Sequence, residues 1–127
     1  MTRAVADTSI FIAQETGREL GKLPEEIAVS VITAAELELG VLRARDPDIR
    51  ARRLATLSRV QATYGLLPVD PEIASCFARI AAAERDRGRR LRRHDTWIAA
   101  TAMRHGATVL TQDSDFSSFA EVDVVRF

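Results

Sequence analysis

Residues 27–44, IAVSVITAAELELGVLRA, contain two different hydrophobic patterns, one directly after the other. Its first four residues, Ile27 to Ser30, form a compact run with three apolar residues, two of them branched, which is typical of a short buried strand. From Thr33 to Ala44 the apolar residues recur every three or four positions, which predicts a helix. A strand that leads into a helix is the repeating unit of a parallel sheet covered by helices.

The same alternation of short strands and longer helices continues along the chain. Asp46-Pro47 and Asp70-Pro71 each combine a helix N-cap with Pro at the first helical position. Pro68 restricts its strand to a sheet edge or to one end of the sheet. The remaining predicted strands lie at residues 5–6, 66–69, 108–110 and 122–125, and the remaining predicted helices at 8–14, 47 to about 64, 71 toward 88, and 94–105.

Length and composition fit one domain spanning residues 1–127. The chain has 46% apolar and 28% charged residues, which is too apolar for a disordered segment. No apolar run approaches the roughly 20 residues needed to cross a membrane, and no signal-peptide pattern opens the chain, so we expect a cytoplasmic protein with no membrane association. Cys76 is the only cysteine, which excludes an intrachain disulfide and a cysteine-rich zinc site. With two histidines, a metal site here would consist mainly of oxygen ligands.

The charges balance overall but are unevenly distributed. Eighteen basic and 18 acidic residues give a net charge of zero, which argues against binding nucleic acid by bulk charge alone. Six arginines nevertheless lie between Arg85 and Arg93, opposed there only by Asp86. This basic segment is either a solvated helix end or a phosphate-binding surface, for which the planar guanidinium is well suited.

Five acidic residues lie where the predicted strands end or where the following helices begin. Each has a local explanation, because Asp is a common N-cap, Thr33 to Glu36 fits a capping box, and Asp in a loop forms Asx turns. Asp70 also follows a strand and is fully explained as a cap. If the sheet is parallel, however, most of these carboxylates face one edge. The five residues are Asp7, Glu36, Asp95, Asp113 and Asp115.

Helical geometry distinguishes Glu36 from its neighbour Glu38, which projects about 160° away. Glu36 emerges between Leu37 and Val41 on one side and a second apolar face on the other, as expected of a partly buried acid. Carboxylates crowded at one edge repel each other unless a cation lies among them. Mg²⁺ or Mn²⁺ suits such an oxygen site, and phosphodiester hydrolysis is the chemistry that it favours.

Four sequence strings in this order closely resemble the PIN-domain ribonucleases, and among them the VapC-type toxins of bacterial toxin–antitoxin pairs. The resemblance spans nearly the whole chain, and no single string is specific without the others. The strings are Ala6-Asp7-Thr8-Ser9, Ser30-x-x-Thr33-x-x-Glu36-Leu37-x-x-Gly40, Asp95-x-x-Ile98-Ala99-Ala100 and Thr111-x-Asp113-x-Asp115-Phe116.

The resemblance implies a PIN-like three-layer α/β/α sandwich with a central, mainly parallel sheet of about five short strands. It implies a metal-dependent endoribonuclease that uses Mg²⁺, with Mn²⁺ as a substitute. Its catalytic and metal-binding quartet would be Asp7, Glu36, Asp95 and Asp113, with Asp115 as an auxiliary metal-binding acid. Ser9 and Thr111 would orient the carboxylates through their hydroxyls.

The resemblance also implies partners. These are an RNA substrate, a second copy of the chain in a homodimer, and a VapB-type antitoxin in a heterotetramer or larger complex. We expect Arg92 and Arg93, with Arg89 and Arg90 as further candidates, to contact RNA phosphates. Candidate surfaces for the antitoxin or the dimer are the apolar faces that include Phe11, Ile12, Leu37 and Val41.

Two other functions remain open from the sequence. A degenerate PIN-like domain would bind RNA or protein without cutting, although retention of all four acids argues against it. A DNA-directed nuclease would use the same acids. Histidine at position 94 is expected to be an exposed residue at a helix start, and Trp97 is expected to pack beneath its helix.

Overall fold

The computed structural model describes residues 3–113, 116, 119 and 121–127. Its strands are β1 (Arg3–Ala6), β2 (Glu26–Ser30), β3 (Leu66–Leu67), β4 (Thr108–Thr111) and β5 (Val124–Arg126). Its helices are α1 (Thr8–Glu15), α2 (Val31–Arg43), α3 (Pro47–Thr63), α4 (Pro71–Asp86) and α5 (Arg93–His105). In the described part of the chain, no helix is both long enough and apolar enough to cross a membrane.

The five strands form one parallel sheet in the order β3-β2-β1-β4-β5. Val5 pairs with Ala28 on one side and with Val109 on the other, so β1 is the central strand. Since all the strands run in one direction, β1, β2 and β4 end at the same edge of the sheet. The predicted parallel sheet of five short strands is confirmed.

Alternate residues of the central strands face two separate cores. Val5 and Val109 pack with Ile73 and Ile98 of α4 and α5 on one face of the sheet. Ala4, Ala6, Val29 and Leu110 pack on the other face, against α1, α2 and α3. Strands buried on both faces read as continuous apolar runs, which explains their short β-branched patterns. The helices therefore form two outer layers, and the predicted α/β/α sandwich is confirmed.

Capping residues set the helix starts, and two of them differ from expectation. The predicted caps are confirmed at Asp46 and Asp70, whose carboxylates accept hydrogen bonds from backbone N–H groups of the first turn. Helix α2 instead begins at Val31, because the Ser30 hydroxyl accepts from the N–H of Ile32 at 3.0 Å. The capping box from Thr33 to Glu36 was therefore wrong, and Glu36 lies in the second turn.

Helix α5 also begins differently from expectation, because no side chain caps its first turn. Arg92 occupies the N-cap position of α5 and makes no side-chain capping bond, so Asp95 is the third residue of the helix rather than its cap. At the other end, Gly106 closes α5 with φ of +60°, a left-handed conformation that Gly adopts at little cost. The sequence anticipated the closing glycine but not the start.

The predicted partner-binding residues are mostly core residues. Phe11, Leu37 and Val41 are buried between the sheet and its helices, whereas Ile12 is about half exposed. On the second apolar face of α2, Leu39 and Leu42 are exposed, whereas Ile32 packs against a core. Periodicity identifies an apolar face but not whether the same chain covers it.

Helix α5 carries Asp95, and its position on the sheet depends on Ile98, which is fully buried. We expect Ile98→Ala to lower the free energy of unfolding by about 2–5 kcal/mol, because it removes buried methylene groups and leaves a cavity. Urea unfolding measures this change. Leu54→Ala, at a half-exposed position on α3, is the matched control and should change stability by less than about 0.5 kcal/mol. Equal losses in the two variants would contradict this packing.

Candidate functional site

The Asp7 carboxylate is the most firmly held acid at the carboxyl edge of the sheet. Asp7 directly follows β1, is 5% exposed, and its backbone N–H donates to the carbonyl of Leu110 at 2.9 Å. Its Oδ2 accepts hydrogen bonds from Thr111 Oγ1 at 2.5 Å and from Ser9 Oγ at 2.9 Å, and its Oδ1 accepts from the backbone N–H of Ser9 at 3.2 Å. These three bonds stabilise a buried charge and hold it in one orientation.

The two hydroxyls on Asp7 also bind the loop after β4. Ser9 Oγ accepts from the backbone N–H of Gln112 at 2.8 Å, and Thr111 Oγ1 accepts from that of Asp113 at 2.9 Å. A hydroxyl has one proton to donate, and both donate it to Asp7, so each uses a lone pair for the loop. The predicted contacts of Ser9 and Thr111 with a site carboxylate are present, and Asp113 is joined to Asp7 through Thr111.

Glu36 faces the site from α2, with 26% of its side chain exposed. Thr8 Oγ1 donates to Glu36 Oε1 at 2.8 Å, and Nδ1 of His94 lies 3.4 Å from Oε2. The carboxylate is therefore held by the first turn of α1 and by the start of α5. Glu36 is partly buried, as helical geometry predicted, since Leu37 packs into one core and Ile32, on its other side, packs against the other core.

Asp95 lies in the electric field of the other three acids. Burial, and after it the negative charges of Asp7, Asp113 and Glu36, raise its pKa from 3.8 to about 6, while the Arg92 guanidinium opposes them. Arg92 Nη1 lies 3.8 Å from Asp95 Oδ2. A pKa raised by three carboxylates means that α2, α5, β1 and the loop after β4 bring these charges within electrostatic range of each other.

The four predicted acids thus face one region, but they are not drawn together into a ligand shell. Among the residues that the structure describes, no three acidic, histidine or cysteine side chains are close enough to hold a metal ion. Asp113 is exposed, whereas Asp7 is buried. Asp115 lies outside the described residues, so its auxiliary role stays a prediction.

The sequence alone missed two side chains of this site. The sequence motif assigned no role to Thr8, yet this residue is 8% exposed and its hydroxyl donates a hydrogen bond to Glu36. The sequence signal that could have identified Thr8 is its polar side chain at the start of a helix that continues with the apolar residues Ile10, Phe11 and Ile12. His94 is exposed, as predicted, but it also reaches Glu36, which no local pattern indicates. Trp97 stacks on Phe77 with ring centroids 4.0 Å apart, consistent with the predicted packing role.

Comparison with known proteins agrees with this geometry. A family model described as the PIN domain matches residues 4–122. Ribonuclease VapC5 from Mycobacterium tuberculosis is 46% identical over 96% of this chain and 93% of its own length. Ribonuclease VapC4 from the same organism is 40% identical over 97% of this chain and 95% of its own length.

A solved structure gives the same result for the fold. The crystal structure of VapBC-5 from Mycobacterium tuberculosis, a member of the VapBC family of toxin–antitoxin systems, contains a chain with a TM-score of 0.86 to this one. That chain is 43% identical, and the match covers all of both chains. A family model over almost the entire chain and relatives above 40% identity agree with the parallel sheet and the acids at its edge. The chain therefore belongs to the PIN-domain family and is a VapC-type member of it.

Proposed function

We propose that this single-domain protein is a metal-dependent endoribonuclease that acts in the cytoplasm as the toxin of a toxin–antitoxin pair. The observation that carries this proposal is the field of four carboxylates at one sheet edge, in which burial and the three neighbouring acids raise the pKa of Asp95. A buried acid placed beside other acids has no structural benefit on its own, and groups with a perturbed pKa cluster at functional sites. The names of the relatives, which are ribonucleases, supply the reaction class.

The chemistry of the donor set fits a hard divalent cation, although the described side chains would have to move closer together to form its ligand shell. It consists of carboxylate oxygens, and the hydroxyls of Ser9 and Thr111 fix the Asp7 carboxylate for ligation. Asp7, Asp95 and Asp113 would hold Mg²⁺ or Mn²⁺, and Glu36 would bind a second ion or position the attacking water. When bound, the ion supplies activation of water and neutralises charge on the phosphate.

The side chains of this chain then have separate tasks. Asp7 provides a rigid negative charge, since both of its oxygens are already oriented by hydrogen bonds. Glu36 is held at Oε1 by Thr8, and its partial exposure leaves it open to water. No histidine base is required, because carboxylates can accept the proton of the attacking water.

The proposed partners follow from the relatives. VapBC-5 is described as a member of a toxin–antitoxin family, so we propose a VapB-type antitoxin for this chain, bound in a heterotetramer or larger complex. We also propose that the protein forms a homodimer. Exposed Leu39 and Leu42 on α2, rather than buried Leu37 and Val41, are the apolar residues that such contacts can use.

The first test is cleavage of total cellular RNA by purified protein, free of antitoxin, with Mg²⁺, with Mn²⁺ and with EDTA. We expect discrete fragments that require metal. Asp7→Asn should reduce the rate by at least about a hundredfold, since it removes the charge of the fixed ligand. Asp70→Asn is the matched control, because Asp70 also follows a strand but only caps α4, and it should cleave normally.

Two outcomes of that assay would contradict the proposal. Cleavage that survives both EDTA and Asp7→Asn would mean that the acids are not the site. A folded wild-type protein that cuts no RNA with either metal would favour a binding domain without catalysis.

A second test concerns the electrostatic cost of Asp95. Its pKa is about 6 in the folded protein and 3.8 in the unfolded chain, so the folded state is stabilised relative to the unfolded state below pH 4 and loses that stabilisation as the pH rises through 6. In EDTA, Asp95→Asn should therefore raise the melting temperature by a few degrees at pH 8 and leave it unchanged at pH 4. Thermal unfolding at both pH values measures this. A variant less stable than wild type at pH 8 would contradict the repulsion.

A third test addresses Thr8 as a positioning residue. Thr8→Val keeps the shape but removes the hydrogen bond to Glu36, so we expect kcat to fall by about tenfold while KM is unchanged. Thr8→Ser keeps a hydroxyl and should restore most of the activity. Equal kcat values in Thr8→Val and wild type would show that this bond does not orient Glu36 for the reaction.

A further inference from the structure

The arginines between Arg85 and Arg93 are in different environments. Glu84, at the end of α4, is 5% exposed; its Oε1 lies 3.5 Å from Arg87 Nη1 and its Oε2 lies 3.9 Å from Arg89 Nη1. The backbone N–H of Arg89 also donates to the Glu84 carbonyl at 2.9 Å. Because a buried carboxylate requires positive partners, Arg87 and Arg89 are held against α4.

Two later arginines lie beside the acidic site. Arg92 pairs with Asp95, and its carbonyl oxygen accepts from Thr96 Oγ1 at 2.6 Å, so Arg92 is tied to α5. Arg93 is exposed, and within the described ranges of the chain it forms no ion pair. No carboxylate of the described residues neutralises the charge of Arg93. Among such cations, Arg93 is the nearest in sequence to Asp95.

Arg93 borders a shallow cavity of about 450 Å³ that is widely open to solvent beside the carboxylates. This volume is within the range of about 300–1,000 Å³ that small ligands occupy. Acidic and basic groups share the cavity, and His94 is held at its wall by the 3.4 Å contact with Glu36. The lining residues are Glu36, Leu91, Arg92, Arg93, His94 and Asp95.

We propose that this cavity binds the RNA nucleotide adjacent to the cleaved bond, with the Arg93 guanidinium on its phosphate and His94 against the nucleotide. The inference rests on the proposed ribonuclease function and assigns a subsite to it. A phosphate beside several carboxylates needs a cation that is not already committed, and a guanidinium can donate to two phosphate oxygens at once. Arg92 is a positioning residue for Asp95, and Arg87 and Arg89, which pair with Glu84, do not line the cavity.

The test compares variants that each remove one positive charge. With a short single-stranded RNA that the wild type cuts, Arg93→Gln should raise KM by about tenfold with kcat nearly unchanged. It should also flatten the plot of log(kcat/KM) against log salt concentration by about 0.7, the value for one phosphate contact on a single strand. Arg93→Lys keeps the charge but loses the planar fork, so it should keep the salt slope and recover only part of the KM.

Arg87→Gln and Arg79→Gln are the matched controls. Arg87 is in the same segment but pairs with Glu84, and Arg79 is exposed on α4. Both should cut with the wild-type KM and salt slope. Equal losses in all three variants would show that net charge, not the cavity, attracts RNA, and would overturn the proposal.

Binding of the same RNA to the Asp7→Asn protein, by fluorescence anisotropy, separates this inference from the proposed activity. In that background Arg93→Gln should again weaken binding by about tenfold and Arg87→Gln should not. Equal binding by the two variants overturns the subsite even if the wild type cleaves RNA. If Arg93→Gln leaves RNA binding intact but weakens the complex with the antitoxin, the cavity holds a protein segment and the proposal is wrong.

Discussion

The buried charge of Asp7 is the constraint on which the rest of the site depends. A carboxylate that is 5% exposed requires hydrogen-bond donors, and the first turn of α1 and the end of β4 provide them. Since Ser9 and Thr111 then bind the loop that carries Asp113, one ionised group determines how two chain segments meet. The parallel pairing of β1 with β4 makes this arrangement possible, because their carboxyl ends lie at the same edge.

Repulsion is the second consequence of gathering acids at this edge. Burial is the main cause that raises the pKa of Asp95, and the negative charges of Asp7, Asp113 and Glu36 add to it, while Arg92 offsets only part of the effect. The fold tolerates this cost because two separate cores, above and below the sheet, supply the stability. A site under such strain gains most from a cation, which relates the electrostatics directly to the proposed chemistry.

Neighbouring charges also give the arginines of the basic segment different roles. Arg87 and Arg89 compensate buried Glu84, Arg92 neutralises part of the Asp95 charge, and Arg93 faces a cavity. The Glu84–Arg87 and Arg92–Asp95 pairs have the i,i+3 spacing of neighbours on a helix. Only the folded structure shows that Glu84 is buried and that Arg89 also reaches it. The basic segment is therefore partly structural and partly available for a ligand.

Local chemistry in the sequence determined the elements: the Asp-Pro caps, the closing Gly106 and the apolar periodicities predict helices and strands close to those observed, and strand–helix alternation predicts the parallel sheet. Motif order indicated the four acids and the family. The cap of α2 is a local contact, from the N–H of Ile32 to the Ser30 hydroxyl. Only tertiary structure decided that Thr8 and His94 hold Glu36, and which apolar residues of α2 are buried. Those choices depend on contacts between residues far apart in the chain, which no local pattern encodes.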